Sequence, residues 1–311
     1  MPKRRLICGP FLKWVGGKRQ LLPVLRRFYP EQFGRYFEPF VGSGAVFFDL
    51  QGRGLLEGHG VTISDDNADL IGCYLRIGDS LEEVIAELDR LAAGHADDGR
   101  THYLRVRDEQ FNPARAAWRA SGGDVERYPS ELAAMLIYLN RTGYNGLFRL
   151  NASGEFNVPP GRYDNPKIVD RPLLTIASRA LDSRNIVIRK ASFDRVLEDA
   201  SEGDFAYFDP PYAPLSATSN FRGYTGRSFL EVDQQRLQRV LIELAQRKVH
   251  VLLSNSTAPD VMRLYDGNLE TQAVGLRAWR FPARRAVNSK ADRRGAVQEL
   301  VVSNLTPRRE A

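Results

Sequence analysis

The stretch Tyr36-Phe37-Glu38-Pro39-Phe40-Val41-Gly42-Ser43-Gly44-Ala45-Val46-Phe47-Phe48 decides the fold class of this 311-residue chain. Its first five residues predict a β-strand, and Ala45 to Leu50 predict the start of a helix. Gly42-Ser43-Gly44 lies between them, and glycines in such a turn let the backbone approach a ligand closely. We therefore expect an α/β fold with a binding site where this strand ends. The two glycines alone are also compatible with a simple tight turn.

A carboxylate follows at the end of the next predicted strand. Val61-Thr62-Ile63-Ser64 precedes Asp65, which lies 21 residues after Gly44. In doubly wound folds this is the usual distance to an acidic residue that accepts hydrogen bonds from ribose hydroxyls. The spacing therefore predicts an adenosine-type cofactor. A dinucleotide is disfavoured, because the full fingerprint needs a third glycine where this chain has Phe47.

Strand and helix patterns divide the chain into a sheet domain and an insertion. Further strands are predicted at residues 186–188, 205–208, 249–253 and 297–302. Apolar residues at helical spacing follow the second strand, as at Leu81, Val84, Ile85, Leu88 and Leu91. We expect residues 1–68 and 170–311 to form one discontinuous sheet domain. Residues 69–169 should form a mainly helical insertion that ends in a hairpin loop.

Asp209-Pro210-Pro211-Tyr212 follows directly on the predicted strand at residues 205–208. The prolines fix φ and have no N–H, so neighbouring carbonyls stay free to accept hydrogen bonds. Asp209 is a charged acceptor, and Tyr212 offers a face on which a ring can stack. Together these residues suit a flat ring that carries an exocyclic amine. An ordinary strand-to-turn Asp-Pro is the alternative.

Lys13-Trp14-Val15-Gly16-Gly17-Lys18 precedes all of the predicted strands. Gly17-Lys18 resembles part of a phosphate-binding loop, but Leu12 replaces the first glycine of that pattern and Arg19 replaces its Ser or Thr. An aromatic residue, two glycines and a lysine instead suit a flap over a small ligand that ends in a carboxylate, such as S-adenosylmethionine. An amphipathic arm packed on the core is the alternative.

The formal net charge of +6 is concentrated near the C-terminus. Residues 277–311 hold nine Lys or Arg and three Asp or Glu, so the rest of the chain is balanced. This basic tract contains Arg277, Arg280, Arg284, Arg285, Lys290, Arg293 and Arg294. A basic stripe on a neutral body predicts contact with a phosphate backbone, whereas Arg308 and Arg309 fit a solvated tail.

Composition disfavours several other classes of protein. Cys8 and Cys73 are the only cysteines and the four histidines are scattered, so neither a disulfide framework nor a metal site is indicated. The longest apolar runs are far too short to cross a bilayer. No apolar segment follows the basic residues 1–5, so secretion is disfavoured and a cytoplasmic location is expected.

Together the motifs resemble the Dam-type N6-adenine DNA methyltransferases, in the branch that methylates adenine in GATC. The resemblance spans about residues 10–305 and rests on stretches in the order of that class: Lys13 to Lys18, Glu38 to Phe47, Asn140 to Arg149, Gly154 to Tyr163, Asp209 to Ser216 and Asn220-Phe221. It implies a Rossmann-like, S-adenosylmethionine-dependent methyltransferase sheet domain with the insertion as target-recognition domain. It also implies methyl transfer to the N6 amine of adenine in double-stranded DNA, by base flipping and direct in-line transfer, in a nucleoid-associated protein.

The resemblance further implies roles for single residues. The catalytic residues would be Asp209, Pro210, Pro211 and Tyr212, with Asp209 and the Pro210 carbonyl accepting the amine protons. The cofactor pocket would be lined by Trp14, Gly16, Gly17, Lys18, Glu38, Phe40, Gly42, Gly44, Asp65, Phe193 and Asp209. The DNA-binding residues would be Lys13, Tyr144, Asn145, Leu147, Arg149, Pro159 and Tyr163. Among these, Arg149 would read a guanine edge. For Tyr144 and Leu147, a place in the core of the hairpin is the alternative.

Other functions stay open at this point. N4-cytosine DNA methyltransferases use a related motif, usually with Ser in place of Asp209. A catalytically silent DNA-binding protein of the same fold is disfavoured, because all four residues of the catalytic motif are present. A cytosine ring-carbon methylase needs a nucleophilic cysteine, typically after a proline, whereas Cys8 follows Ile7 and Cys73 follows Gly72. A nicotinamide dehydrogenase needs the third glycine, and this chain has Phe47 in its place. The expected partner is double-stranded DNA, without metal or membrane, and a monomer is the favoured oligomeric state.

Overall fold

The structure is a computed structural model that describes residues 9–14, 16–212, 229–284 and 296–308. In these ranges the strands are β1 (Tyr36–Glu38), β2 (Val61–Asp65), β3 (Ile186–Lys190), β4 (Phe205–Phe208), β5 (His250–Ser256), β6 (Arg277–Arg284) and β7 (Ala296–Ser303). They form one sheet in the order β3-β2-β1-β4-β5-β7-β6. The expected α/β class is therefore confirmed.

Helices precede, connect and cover the strands. They are α1 (Leu22–Leu25), α2 (Ala45–Gly52), α3 (Ala68–Asp79), α4 (Leu81–Asp97), α5 (Gly99–Arg105), α6 (Asn112–Ala120), α7 (Ser130–Thr142), α8 (Arg171–Leu181), α9 (Val196–Asp199), α10 (Glu231–Gln246), α11 (Pro259–Tyr265) and α12 (Leu269–Ala273). A π-helical turn, Val106–Phe111, joins α5 to α6. The helix predicted to start at Ala45 is α2, and the segment predicted to be mainly helical contains α3 to α7.

The direction of the strands determines where a ligand can bind. β3, β2, β1, β4 and β5 are parallel, whereas β7 is antiparallel to β5 and to β6. The strand order reverses between β1 and β4, and such a switch point leaves a crevice at the carboxyl ends of the strands. The turn after β1 and the motif after β4 both lie at this crevice.

Two departures from the predicted strands have a simple cause. The first strand ends at Glu38 rather than Phe40, because Pro39 has no N–H for the ladder. β6 was not predicted, since its sequence mixes Arg, Trp and Pro without a regular apolar alternation. It pairs with β7 alone within the described sheet, and an edge position tolerates Pro282.

Both faces of the sheet are covered, as expected for parallel strands. One face buries Phe37, Phe208, Val251 and Leu253 against α9, α10 and α11. The opposite face belongs to a larger cluster that includes Tyr207 and continues through α2, α3 and α8 into α4 and α7. Sheet and insertion thus share one hydrophobic core.

The insertion begins with α3 at the carboxyl end of β2. Asn67 caps this helix, because its side chain accepts hydrogen bonds from the backbone N–H of Asp69 and Leu70. Asp69 is buried and pairs with Arg115 of α6, whose Nε lies 2.8 Å from each carboxylate oxygen. α3 therefore connects the sheet to the insertion, and the domain boundaries at residues 68 and 170 stay a prediction.

Candidate functional site

Asp209 lies at the end of β4 and meets Lys18. Its Oδ1 is 2.8 Å from Lys18 Nζ, which is 5% exposed, and it accepts a hydrogen bond of 3.1 Å from Ser254 Oγ. Burial raises the pKa of Asp209 to about 6, while the ammonium of Lys18 opposes that rise. A carboxylate acceptor is thus held between a lysine and a hydroxyl at the mouth of the crevice.

Tyr212 is held by contacts at both its ring and its hydroxyl. Lys18 Nζ lies 4.4 Å from the centre of the ring, a cation–π geometry. The hydroxyl donates a hydrogen bond to the carboxylate of Glu299 on β7. Of the two prolines between Asp209 and Tyr212, Pro210 is buried and Pro211 is exposed.

The glycine turn after β1 needs glycine at two positions. Gly42 and Gly44 have φ of 46° and 67°, in the left-handed region that side chains disfavour. A Cβ at Gly44 would lie 2.7 Å from the Tyr74 hydroxyl, and one at Gly42 would lie 3.1 Å from the Trp14 ring. The turn therefore brings bare backbone into the crevice.

Asp65 lies beside this turn at the end of β2. Its two oxygens accept hydrogen bonds from the backbone N–H of Gly42, at 3.2 Å, and of Asn67, at 3.0 Å. Burial raises its pKa to about 6, and the two N–H donors oppose the rise. The buried Nδ2 of Asn67 has no hydrogen-bond partner among the described residues. The Asp65 carboxylate, a hydrogen-bond acceptor, and the Asn67 Nδ2, a donor without a partner among the described residues, therefore lie close together.

Aromatic rings and a buried carboxyl group complete the crevice. Phe40 stacks on Phe193 with ring centroids 5.2 Å apart. Glu38 is 2% exposed and accepts a hydrogen bond of 2.7 Å from the Tyr36 hydroxyl. Burial raises the pKa of Glu38 to about 8, so this group is mainly protonated at neutral pH.

The N-terminal segment, residues 11–14 and 16–18, crosses from the crevice to the insertion. Trp14 stacks on Phe148 of the insertion with centroids 5.8 Å apart, and Gly17 N–H donates to the Trp14 carbonyl. Lys18 is predicted to line the cofactor pocket, and its ammonium contacts Asp209, which belongs to both the predicted pocket and the catalytic motif. This segment therefore borders the glycine turn, Asp209 and the insertion at once.

The hairpin of the insertion presents most of the predicted DNA-binding residues. Tyr144, Asn145, Arg149, Pro159 and Tyr163 are exposed, as is Lys13, whose Nζ lies 4.3 Å from the Tyr163 ring. Leu147 is half-buried against the core. The core of the hairpin is formed by Phe148, Phe156 and Val158. Tyr144, at 41% exposure, is thus not a core residue.

The helix that contains the π turn supports the hairpin from behind. Arg107 and Tyr103 donate to the carbonyl of Val158, at 2.9 and 3.0 Å. The Asn112 amide pairs with the N–H and carbonyl of Phe156, at 2.8 and 3.1 Å. A π turn places residues five apart on one face, and such turns are frequent at functional sites. Four hydrogen bonds therefore hold the hairpin to this helix.

The basic tract is described only in part. Arg277 and Arg280 are exposed on β6, and Arg280 pairs with Asp266. Arg285, Lys290, Arg293 and Arg294, together with the side chain of Arg284, lie outside the described residues. The predicted phosphate contact of this tract therefore stays a prediction.

Several residues at the site had no signal in the sequence. Ser254 lies inside an apolar strand, and Glu299 lies 87 residues from the tyrosine that it contacts. Asn140 belongs to a quoted motif, but one of its two partners, Lys13, lies in the N-terminal segment. Tyr207 lies between the apolar residues Ala206 and Phe208, and its hydroxyl lies 2.8 Å from Ser254 Oγ. Only a pattern of buried polar residues in predicted strands could have indicated them.

Three further features bear on the other kinds of protein and site considered. Cys73 is fully buried, and burial raises the pKa of its thiol, so it is no nucleophile. In the described part of the chain, no cluster of three or more His, Cys, Asp or Glu is arranged to hold a metal ion. No described helix is long and apolar enough to span a membrane.

A parallel sheet extended by an antiparallel β7, with its crevice between β1 and β4, has the Rossmann-like fold of the methyltransferases. Residues 14–275 match the D12 class of N6 adenine-specific DNA methyltransferases, and the chain belongs to that family. Membership makes the protein an adenine-specific DNA methyltransferase, and it implies S-adenosylmethionine as methyl donor.

Proteins of known activity resemble the chain over nearly its whole length. The type II methyltransferase M1.LlaDCHI of Lactococcus lactis subsp. cremoris is 37% identical over 306 residues, which is 98% of each chain. The type II methyltransferase M.MjaIII of Methanocaldococcus jannaschii is 38% identical over 95% of this chain and 98% of its own. The DNA adenine methylase of Escherichia coli K12 is 33% identical over 94% and 93%.

Proposed function

We propose that the protein transfers a methyl group from S-adenosylmethionine to the N6 amine of adenine within GATC in double-stranded DNA, by flipping the base out of the helix. The observation that carries this proposal is the position of Asp209 and Tyr212. They lie at the β1–β4 switch, beside the glycine turn and Asp65. An amine acceptor, a stacking ring and a nucleoside-type pocket thus share one crevice.

The residues around the glycine turn fit S-adenosylmethionine. Gly42 and Gly44 offer bare backbone, Asp65 offers acceptors for ribose hydroxyls, and the orphaned Nδ2 of Asn67 offers a donor. Phe40 and Phe193 offer apolar rings for the adenine portion. When bound, S-adenosylmethionine would supply an electrophilic methyl group on a sulfonium. Glu38 offers a buried carboxyl group to the same pocket.

The catalytic motif can activate the target amine through acceptors alone. An exocyclic amine of adenine is a poor nucleophile, because its lone pair is delocalised into the ring. Asp209 and the carbonyl of Pro210 accept its two hydrogens, which favours a pyramidal nitrogen with a free lone pair. Tyr212 stacks on the extruded base and offsets part of the unstacking cost of a few kcal/mol. The motif thus acts by positioning and fixed electrostatics.

Before a base enters, Lys18 contacts the two groups that are proposed to bind it. It contacts both Asp209 Oδ1 and the ring of Tyr212, the two groups proposed to bind the flipped adenine. Entry of the base therefore requires the Lys18 ammonium to move aside. We propose that the pair keeps Asp209 ionised until then, since a cation lowers the pKa of a neighbouring carboxyl.

The hairpin is the proposed source of GATC specificity. Arg149 Nε donates to Asn157 Oδ1 at 2.8 Å, which fixes the direction of the exposed guanidinium. An oriented guanidinium suits the two acceptors of a guanine in the major groove. Tyr144 and Asn145, at the exposed end of the loop, are the proposed wedge that supports the flipped state, with Leu147, Pro159 and Lys13 as further base contacts.

Expression in cells that lack adenine methylation, followed by genome-wide mapping of modified bases, tests the proposal. We expect N6-methyladenine at GATC sites, and none from an Asp209→Asn control that keeps the size of the side chain. N6-methyladenine at another sequence would contradict the specificity, and N4-methylcytosine would contradict the target base. Unmodified DNA despite bound S-adenosylmethionine would indicate a silent DNA-binding protein.

A further inference from the structure

Asn140, near the C-terminal end of α7, joins two parts of the molecule that are 127 residues apart in sequence. Its Oδ1 accepts from the backbone N–H of Lys13 at 2.8 Å, and its Nδ2 donates to the Lys13 carbonyl at 2.7 Å. The same Nδ2 donates to the Gly146 carbonyl at 2.9 Å. Asn140 is 2% exposed. One buried amide therefore ties the N-terminal segment to the loop that reads DNA.

Two neighbouring contacts reinforce this link. Arg141 Nη2 donates to the Phe11 carbonyl at 2.7 Å. Gly146 has a φ of 62°, and a Cβ there would lie 2.4 Å from Lys13 Cβ, so the loop packs directly on the segment. With the stack of Trp14 on Phe148, the segment and the loop form one packed unit.

The other end of the N-terminal segment reaches both ligand sites. Trp14 lies against Gly42, a Cβ at Gly17 would lie 3.7 Å from Ser43 Oγ, and Lys18 contacts Asp209. A displacement of the DNA-reading loop must therefore move the segment that borders the cofactor pocket and the catalytic carboxylate.

We propose that Asn140 is a positioning residue that couples recognition of DNA to binding of the cofactor. This inference rests on the proposed function, because it takes S-adenosylmethionine and duplex DNA as the two ligands. Coupling between two sites is a free energy that each ligand exerts on the other, so it can be measured by binding alone. Asn140 is buried and would act on either ligand only through neighbours such as Lys13, a proposed base contact, so its effect should appear in the coupling.

The test compares the Kd of S-adenosylhomocysteine, which cannot donate a methyl group, with and without a short duplex that contains one GATC site. In the wild-type protein we expect the duplex to tighten binding by at least about fivefold, the lower end of usual coupling factors. In Asn140→Asp the factor should fall below about twofold. In the variant, a carboxylate oxygen replaces the Nδ2 that donates to the carbonyls of Lys13 and Gly146. That oxygen has no hydrogen to donate, so both hydrogen bonds are lost.

Asn112→Asp is the matched control. Asn112 also makes two amide hydrogen bonds to the hairpin, but it does not contact the N-terminal segment. We expect this variant to bind DNA more weakly and to keep the coupling factor of the wild type. A wild-type factor in Asn140→Asp, or equal losses in both variants, would overturn the proposal, as would a wild-type protein that binds both ligands independently.

Thermal unfolding of each variant separates coupling from loss of structure. If Asn140→Asp does not unfold cooperatively, Asn140→Ser replaces it with the same expected factor, because serine cannot span both partners. Failure of both variants to fold would make Asn140 a structural residue only and overturn the proposal. A wild-type protein that binds S-adenosylhomocysteine but never methylates GATC would instead contradict the proposed function.

Discussion

At the scale of single residues, the contact between Lys18 and Asp209 sets the acid limit of activity. Asp209 is the stronger acceptor for the amine hydrogens when it is ionised, and burial raises its pKa to about 6. At subsaturating DNA the single-turnover rate reports the free enzyme, in which Lys18 is still paired with Asp209, so this rate should fall as the pH decreases below about 6 and level off above it. Lys18 lowers the pKa of Asp209, so Lys18→Met should move this limit to higher pH. Lys248→Met, at an exposed lysine paired with Glu202, should leave it in place. An unmoved limit in Lys18→Met would assign the titration to another group.

Glu299 should act on catalysis through Tyr212, since its carboxylate accepts the phenol hydrogen. Loss of a hydrogen bond to a charged group costs about 1.5–3 kcal/mol, so Glu299→Ala should slow single-turnover methylation about tenfold or more. The same change should have little effect in a Tyr212→Phe background, which already lacks the hydroxyl. Additive losses in this double-mutant cycle would show that Glu299 acts elsewhere.

At the scale of elements, the hairpin should recognise the base sequence of the DNA. Arg149→Ala should remove the roughly 1–3 kcal/mol penalty for a wrong base pair at one guanine of GATC. Discrimination at the other positions should persist. Rates on a panel of duplexes with single substitutions measure this. Arg162→Ala is the matched control, because it removes another exposed arginine of the same loop region. A uniform loss of rate in Arg149→Ala, without relaxed specificity, would mean that Arg149 contacts phosphate.

At the scale of the whole molecule, Glu38 couples stability to pH. Its pKa rises from an ordinary value of 4.5 to about 8 on folding, because burial disfavours the charged form. The protonated group therefore stabilises the fold below about pH 4.5, and this contribution is lost as the pH rises towards 8. Glu38→Gln should flatten this part of the pH dependence of unfolding free energy, measured by denaturant titration. An identical slope in both proteins would assign the effect to other groups.

The sequence by itself determined the sheet class, the crevice and the family. Gly42-Ser43-Gly44, Asp65 and the motif at residues 209–212 each lie next to their own strand. Backbone chemistry and short spacing suffice to predict such features, because the strand that positions each group is its immediate neighbour in the chain. The predicted strand at residues 205–208 coincides with β4 for the same reason.

Only the tertiary structure decided which polar residues hold the site together. Ser254, Glu299 and Asn140 reach their partners across 45, 87 and 127 residues. Lys18 likewise contacts Asp209, which lies 191 residues further along the chain. Local propensity and periodicity carry no information about such pairs. Their contacts arise when strands β4, β5 and β7 are brought side by side and the insertion folds back on the N-terminal segment.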